Sequence, residues 1–296
     1  MPTDKLFLYN ALIPNSIDTV HYSFVPTPNF HEDYKQYEKE NRHSRNINFR
    51  STEVSEVVTA NISKSYFYPS QPKIWDYCAI LSLFQSRNIF PFKDSEGGSE
   101  LFARTGRAYE WQILTSKETS DNLDKAVQKL DGFSDRERYI FIKSLMLLFE
   151  GEFFTPYSDF RDVWYLQPIE LFCRGIYCLD YGYNNPKKVP GNLKFSDYLK
   201  YCVHKFGYIN QYGQQAQVES FLEDVATVRN WVMHGKVWSC SIFTKKSEEY
   251  AFYRRIESLL KAFLLSYLGI DSYTNKDALI HGIVFGNQVV PIWVKQ

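Results

Sequence analysis

The segment Val228 to Gly235 sets an arginine, Arg229, beside Asn230 and five residues before His234. Histidine exchanges a proton near neutral pH. Arginine carries a permanent charge and a planar fork of donors that matches a phosphate. An asparagine next to the arginine can orient either group or the phosphate by hydrogen bonding. Together they suit metal-free cleavage of a phosphodiester, in which a proton moves and negative charge grows on phosphate oxygens. The same residues also have a plain structural use. Arg229 can snorkel or pair with a buried carboxylate, and His234 can cap the carbonyls of a helix end.

The surrounding pattern positions them. Val218, Phe221, Leu222, Val225, Val228 and Val232 repeat at helical spacing, and Arg229 falls within that apolar stripe. Glu219, Glu223, Asn230 and His234 share the polar side, and Asn230 and His234 are neighbours four apart. A charge within an apolar stripe requires a partner or a wet surface. Gly235 is a natural helix stop, which sets His234 at an accessible helix end. Glu170, on the preceding helix, is a candidate to orient Arg229 or His234, and its plain alternative is an ordinary surface carboxylate.

The run Arg-Asn-x-x-x-His-Gly closing a helix resembles the signature of the HEPN superfamily, most closely its Apea-like branch. A second amphipathic helix, Tyr250 to Gly269, follows with Arg254 and Arg255 near its start, as a final helix does in that family. The resemblance spans about residues 160–270. It implies a helical bundle and a metal-independent endoribonuclease without cofactor, with Arg229, Asn230 and His234 catalytic. It further implies a homodimer that combines two motifs, and by analogy a role in anti-phage defence or a toxin system with an antitoxin or activator protein. A tyrosine two residues after the histidine, the site of nucleotide modification in some members, is here Lys236. That mode of control is therefore not expected. The alternative reading is a non-catalytic HEPN-like module for dimerisation or partner binding, as a sensor, immunity or scaffold protein.

Composition limits the remaining options. Thirty-four basic and 34 acidic residues give zero formal charge, so any grip on RNA must be local. Lys236, Lys245, Lys246, Arg254 and Arg255 lie close to the motif in sequence, and Lys236, Arg254 and Arg255 are the candidate RNA contacts. The commoner use of such residues is a solvated basic surface. Twenty-three Phe, 22 Tyr and 6 Trp read mainly as packing, with base stacking the rarer use of any one. Five cysteines without a CxxC pair, and no secretory leader, give an expectation of reduced thiols and a cytoplasmic protein. The histidines lack metal-ligand spacing. No apolar run is long enough to span a bilayer.

The fold class expected is α+β. Residues 1–115 read as a mixed region of unassigned role, and residues 116–296 as a helical domain with its core at about 160–270 and an extended tail. Strand-like segments are Leu6 to Ile13, Val20 to Val25, Val54 to Ile62 and Tyr109 to Leu114. The charged stretch His31 to Arg50 suits a long loop or an exposed helix, and Ile74 to Ser86 a short buried helix. Helices are expected over Asn122 to Leu130 and, opened by a Ser134 to Glu137 capping box, over Tyr139 to Glu150. Pro168 is expected to open a helix through Leu179. Further helices follow near 196–205, 216–233 and 247–268. Ala278 to Val294 reads as a hairpin or extended cap.

Overall fold

The computed structural model describes residues 6–41, 50–56, 73–86, 88–93, 112–154, 158–184, 189, 191, 193–207, 215–233, 243 and 246–285. It is an α+β protein, mostly helical, with two compact units: Met1–Phe133 with Ser272–Asn275, and Ser134–Asp271 with Lys276–Gln296. The division by composition at 115/116 differs from this grouping, because the helix α3 (Ser116–Asp131) packs beside α2 (Ile74–Gln85) in the first unit.

That unit carries a five-stranded antiparallel sheet of order β2-β3-β4-β1-β5. Its strands are β1 (Leu6–Tyr9), β2 (Ile17–Asp18), β3 (Tyr22–Pro26), β4 (Arg50–Glu56) and β5 (Phe90–Lys93). β1 stops four residues before the expected end because Asn10 takes φ 65°, a left-handed conformation that asparagine tolerates. The chain beyond it is held by Gln85. Its buried amide accepts from the Leu12 N–H at 2.6 Å and donates to the Leu12 carbonyl at 3.0 Å. Of the charged stretch, residues 31–41 belong to helix α1 (Phe30–Asn41), residues 42–49 lie outside the described residues, and Arg50 opens β4. Of the expected strand at Tyr109 to Leu114, residues 109–111 lie outside the described residues. Ile113 and Leu114 form a buried bend whose N–H groups both donate to the Phe84 carbonyl. The edge strand is instead β5, whose Pro91 hides it from a reading of propensity. α3 begins two turns before the expected start. Thr115 and Glu118 make a reciprocal capping box there, and Glu118 also accepts from Thr274.

The second unit is helical: α4 (Asp135–Phe154), α5 (Ser158–Asp180), α6 (Phe195–Lys205), α7 (Gln215–Met233), α8 (Lys246–Tyr267) and α9 (Lys276–Phe285). Ser134 and Glu137 cap α4 as their spacing predicts. Pro168 does not open α5 but lies inside it. Proline there removes one i→i−4 bond, and burial of Tyr165, Leu166, Ile169 and Phe172 around it offsets the loss. The expected hairpin in the tail is corrected over its first half. α9 buries Leu279, Ile280 and Ile283, a helical 3–4 repeat that the glycines had obscured. Residues 286–296 lie outside the described residues.

Phe172 of α5, Phe206 after α6, and Phe263 and Tyr267 of α8 form the aromatic centre of this unit. Cys173, Cys178 and Cys202 are buried free thiols, as is Cys78 in the first unit. Among the described residues no helix is long and apolar enough to cross a membrane.

At Gly175 α4 and α5 approach closely, since a Cβ there would lie 2.7–2.8 Å from three carbons of Ile140. Ile140 is buried and β-branched, so it cannot swing clear. Gly175→Val should lower unfolding free energy by about 2 kcal/mol or more, the scale of overpacking. Urea denaturation checks this, and an unchanged midpoint would show that the helices separate freely.

Candidate functional site

Five of the six positions in the expected apolar stripe of α7 are buried, Val218, Phe221, Leu222, Val225 and Val228, and Val232 in the last turn is half-buried. Arg229 follows on the edge of that stripe with its side chain 17% exposed, and α5 supplies its counter-charge. Arg229 Nε donates to Glu170 Oε2 at 2.8 Å and its Nη2 donates to Glu170 Oε1 at 2.7 Å. This is a bidentate pair, the strong geometry for arginine and a carboxylate. Arg229 Nη1 donates to Asn230 Oδ1 at 3.2 Å. Three of the five guanidinium N–H donors are thus used, and two carry no bond to a described residue.

Glu170 is shared. Arg174, one turn along α5, brings its Nε within 2.9 Å of Glu170 Oε1. One carboxylate between two guanidinium groups leaves the cluster with a net charge of about +1. The formally neutral chain thus has a local positive site beside the last turns of α7. Sequence reasoning overlooked Arg174, although its i,i+4 spacing from Glu170 was a usable signal.

Asn230 is exposed on that turn. Of the other motif residues, His234 directly follows the last described residue of α7 and, like Lys236, Lys245 and Cys240, lies outside the described residues. The structure therefore joins Arg229, Asn230 and Glu170.

Arg254 and Arg255 are occupied elsewhere. Arg254, 11% exposed, donates to Glu257 at 2.7 Å, and Glu257 is also paired with Lys261 along α8. Arg255 lies 3.7 Å from the centre of the Phe221 ring and donates its Nε to the Ile283 carbonyl at 2.7 Å. Burial pushes its guanidinium down to about 10, against the opposing pull of the Asp224 carboxylate. Arg254 is held within α8, whereas Arg255 ties α8 to α7 and α9.

A pocket of about 240 Å³ in the first unit lies between Leu12 to Ile17 and the start of α3. It holds Lys117 and Asp121 among serine and threonine hydroxyls, without a histidine or cysteine that could exchange a proton near neutrality or attack. Among the described residues no group of three His, Cys, Asp or Glu is arranged to hold a metal.

No family model matches the chain, and no curated protein and no solved structure does either.

The Glu170–Arg229 pair is mostly shielded, so its loss should be felt in stability. In a double-mutant cycle, Glu170→Ala and Arg229→Ala should show a coupling of about 1–3 kcal/mol by urea denaturation. A coupling near zero would mean that solvent screens the pair and that Glu170 does not position the guanidinium.

Proposed function

We propose that the helical unit is a HEPN-type domain and that this protein is a metal-independent endoribonuclease. The observation that carries the reading is the Arg229 guanidinium at the end of α7. Glu170 fixes it in orientation, Asn230 adjoins it, and two N–H donors are left for an anionic ligand. Fixing a planar fork before substrate arrives is what electrostatic stabilisation of a phosphoryl transition state requires.

In the proposed reaction, the ribose 2′-oxygen forms a bond to the adjacent phosphorus while the bond from phosphorus to the 5′-oxygen breaks. The proton leaves the 2′-OH and a proton reaches the 5′-oxygen, giving a 2′,3′-cyclic phosphate and a 5′-OH. His234 is the proton-transfer group, because histidine is the side chain whose ordinary pKa lies near neutrality. Arg229 meets the charge that grows on the phosphate oxygens, and Asn230 orients the phosphate or His234. With Arg254 and Arg255 engaged in packing, Lys236, close to the motif in sequence, and Arg174, paired with Glu170, are the cations assigned here to the RNA backbone.

A homodimer would combine two such sites. The exposed Met233 and the half-buried Trp231 and Val232 supply apolar surface beside the motif, which suits a two-fold contact. By analogy with the family, the biological setting is anti-phage defence or a toxin system, in the cytoplasm, with an antitoxin or activator as partner. A second reading has its own support. Three of Arg229's donors are used internally, as in a non-catalytic module that employs the same helices for partner binding.

One assay separates the two. Purified protein should cut single-stranded RNA in EDTA, leave cyclic phosphate ends and spare DNA, which lacks the attacking hydroxyl. Arg229→Ala and His234→Ala should each lower cleavage by about 100-fold or more, and Arg229→Lys should fail to restore it. Cleavage that survives both alanine substitutions would remove the proposed site. Light scattering should independently give a dimer at micromolar concentration, and a monomer would sink the composite site.

A further inference from the structure

The face of α5 that bears Glu170 and Arg174 continues through Tyr177 to Tyr181, the first residue after the helix, whose N–H still donates to the Tyr177 carbonyl. At about 100° per residue these four positions stay within about 60° of one another, and they run about 16 Å along the helix. Tyr177 and Tyr181 are stacked, with ring centres 4.5 Å apart and planes 27° from parallel. Tyr201 of α6 meets both, at 5.0 and 5.7 Å, and Tyr198 stands edge-on to Tyr177 at 5.2 Å. The Arg174 guanidinium lies 5.3 Å from the Tyr198 ring centre. Tyr198 is buried and anchors the group, Tyr177 and Tyr201 are half-buried, and Tyr181 is 55% exposed.

Four tyrosines gathered at the surface exceed what closing a core needs, for three of them retain contact with solvent. The nearest carboxylate, Asp180, is neutralised in place. Its Oδ2 accepts from the Tyr201 hydroxyl at 2.6 Å and from Lys205 Nζ at 2.5 Å. What the cluster presents is the Tyr177–Tyr181 stack, with Tyr181 more than half exposed, on the helix face that also carries the positive Glu170–Arg174–Arg229 group.

We infer that the stack headed by Tyr181 is a base-stacking subsite for single-stranded RNA, a few nucleotides from the phosphate held at Arg229. The inference rests on the ribonuclease reading. An unpaired base continues the Tyr177–Tyr181 stack, which is sequence-tolerant because every base has a π-face. The intervening backbone passes the net positive cluster, so stacking and charge act on successive parts of one strand. Single strands are favoured over duplex because a paired base cannot offer its face to a side chain.

The test uses the full-length chain carrying His234→Ala, so that RNA stays intact, and a short fluorescein-labelled single-stranded RNA read by anisotropy. Adding Tyr181→Ala should weaken binding about tenfold, while Tyr181→Phe, which keeps the ring, should stay within about twofold of the parent. Thermal melts of the variants should coincide, since Tyr181 is exposed. Equal affinity of parent and Tyr181→Ala overturns the subsite and leaves the cleavage assay standing. A parent that binds no RNA removes the subsite and the ribonuclease reading together. A Tyr181→Ala protein of half the parent's mass in light scattering also overturns the subsite, because the stack would then join two copies of the chain.

Discussion

A guanidinium within the apolar stripe of α7 is the constraint on which the helical unit depends. Removing Arg229 from water without a partner would cost several kcal/mol, a large fraction of the stability of a domain of this size. Glu170 meets that demand with two parallel hydrogen bonds, and the geometry is demanding. A fork against a carboxylate forms only if α5 and α7 keep one axial register and one rotation. The same register lets Val225 and Val228 face the interior while Asn230 stays exposed on the next residue. The pair therefore acts more as a registration device than as a source of net stability. Much of its attraction offsets desolvation, whereas the packing around it supplies the driving force.

The structural use of Arg229 and the catalytic use proposed for it need not compete. An arginine free to sample rotamers would lose up to about 2 kcal/mol of side-chain entropy when it closed on a phosphate. Here Glu170 has already fixed the side chain, so that cost falls on folding. The carboxylate does withdraw charge from the site, and Arg174 restores it, because the three groups together are cationic. The plain structural use of Arg229, pairing with a buried carboxylate, is thus realised in a form that still presents donors outward.

Where burial follows a simple period, the sequence announced the structure: the α7 stripe, the buried helix α2 and the Ser134–Glu137 cap all appear at their expected positions. The errors have physical causes. Propensity rules treated Pro168 as a boundary, yet tertiary burial of Tyr165, Leu166 and Ile169 carries α5 through it. The Thr115–Glu118 box obeyed the same rule as Ser134–Glu137, but no apolar residue follows it until Leu123, so the start of α3 was obscured. Strand β5 is short and contains a proline, and its place in the sheet comes from pairing with β1, which is nonlocal. At the candidate site, Arg229 and Glu170 were legible as a charge in search of a partner. Their bidentate geometry was not, because it depends on the relative rotation of two helices fixed by many contacts. The intramolecular partners of Arg254 and Arg255 were not legible for the converse reason. Adjacent arginines near a helix start look solvent-facing, but a helix of this length in a bundle has little free circumference, and both side chains turn inward.

The charge balance of the chain bears on how such a site would hold RNA. A strongly basic protein draws nucleic acid over distances beyond a Debye length, about 8 Å at physiological salt, and gains affinity by releasing counterions. With 34 charges of each sign that route is closed, and a cluster worth about one charge releases few counterions. Affinity must then come from contacts that salt screens weakly. A surface tyrosine stack supplies that kind of contact, since dispersion and desolvation of a base do not depend on net charge. Neutral overall charge and an aromatic platform beside a small cationic centre are therefore parts of one physical arrangement. In the proposed reaction, short-range stacking would position the strand, and a single pre-oriented arginine would act on the phosphate once it is in place.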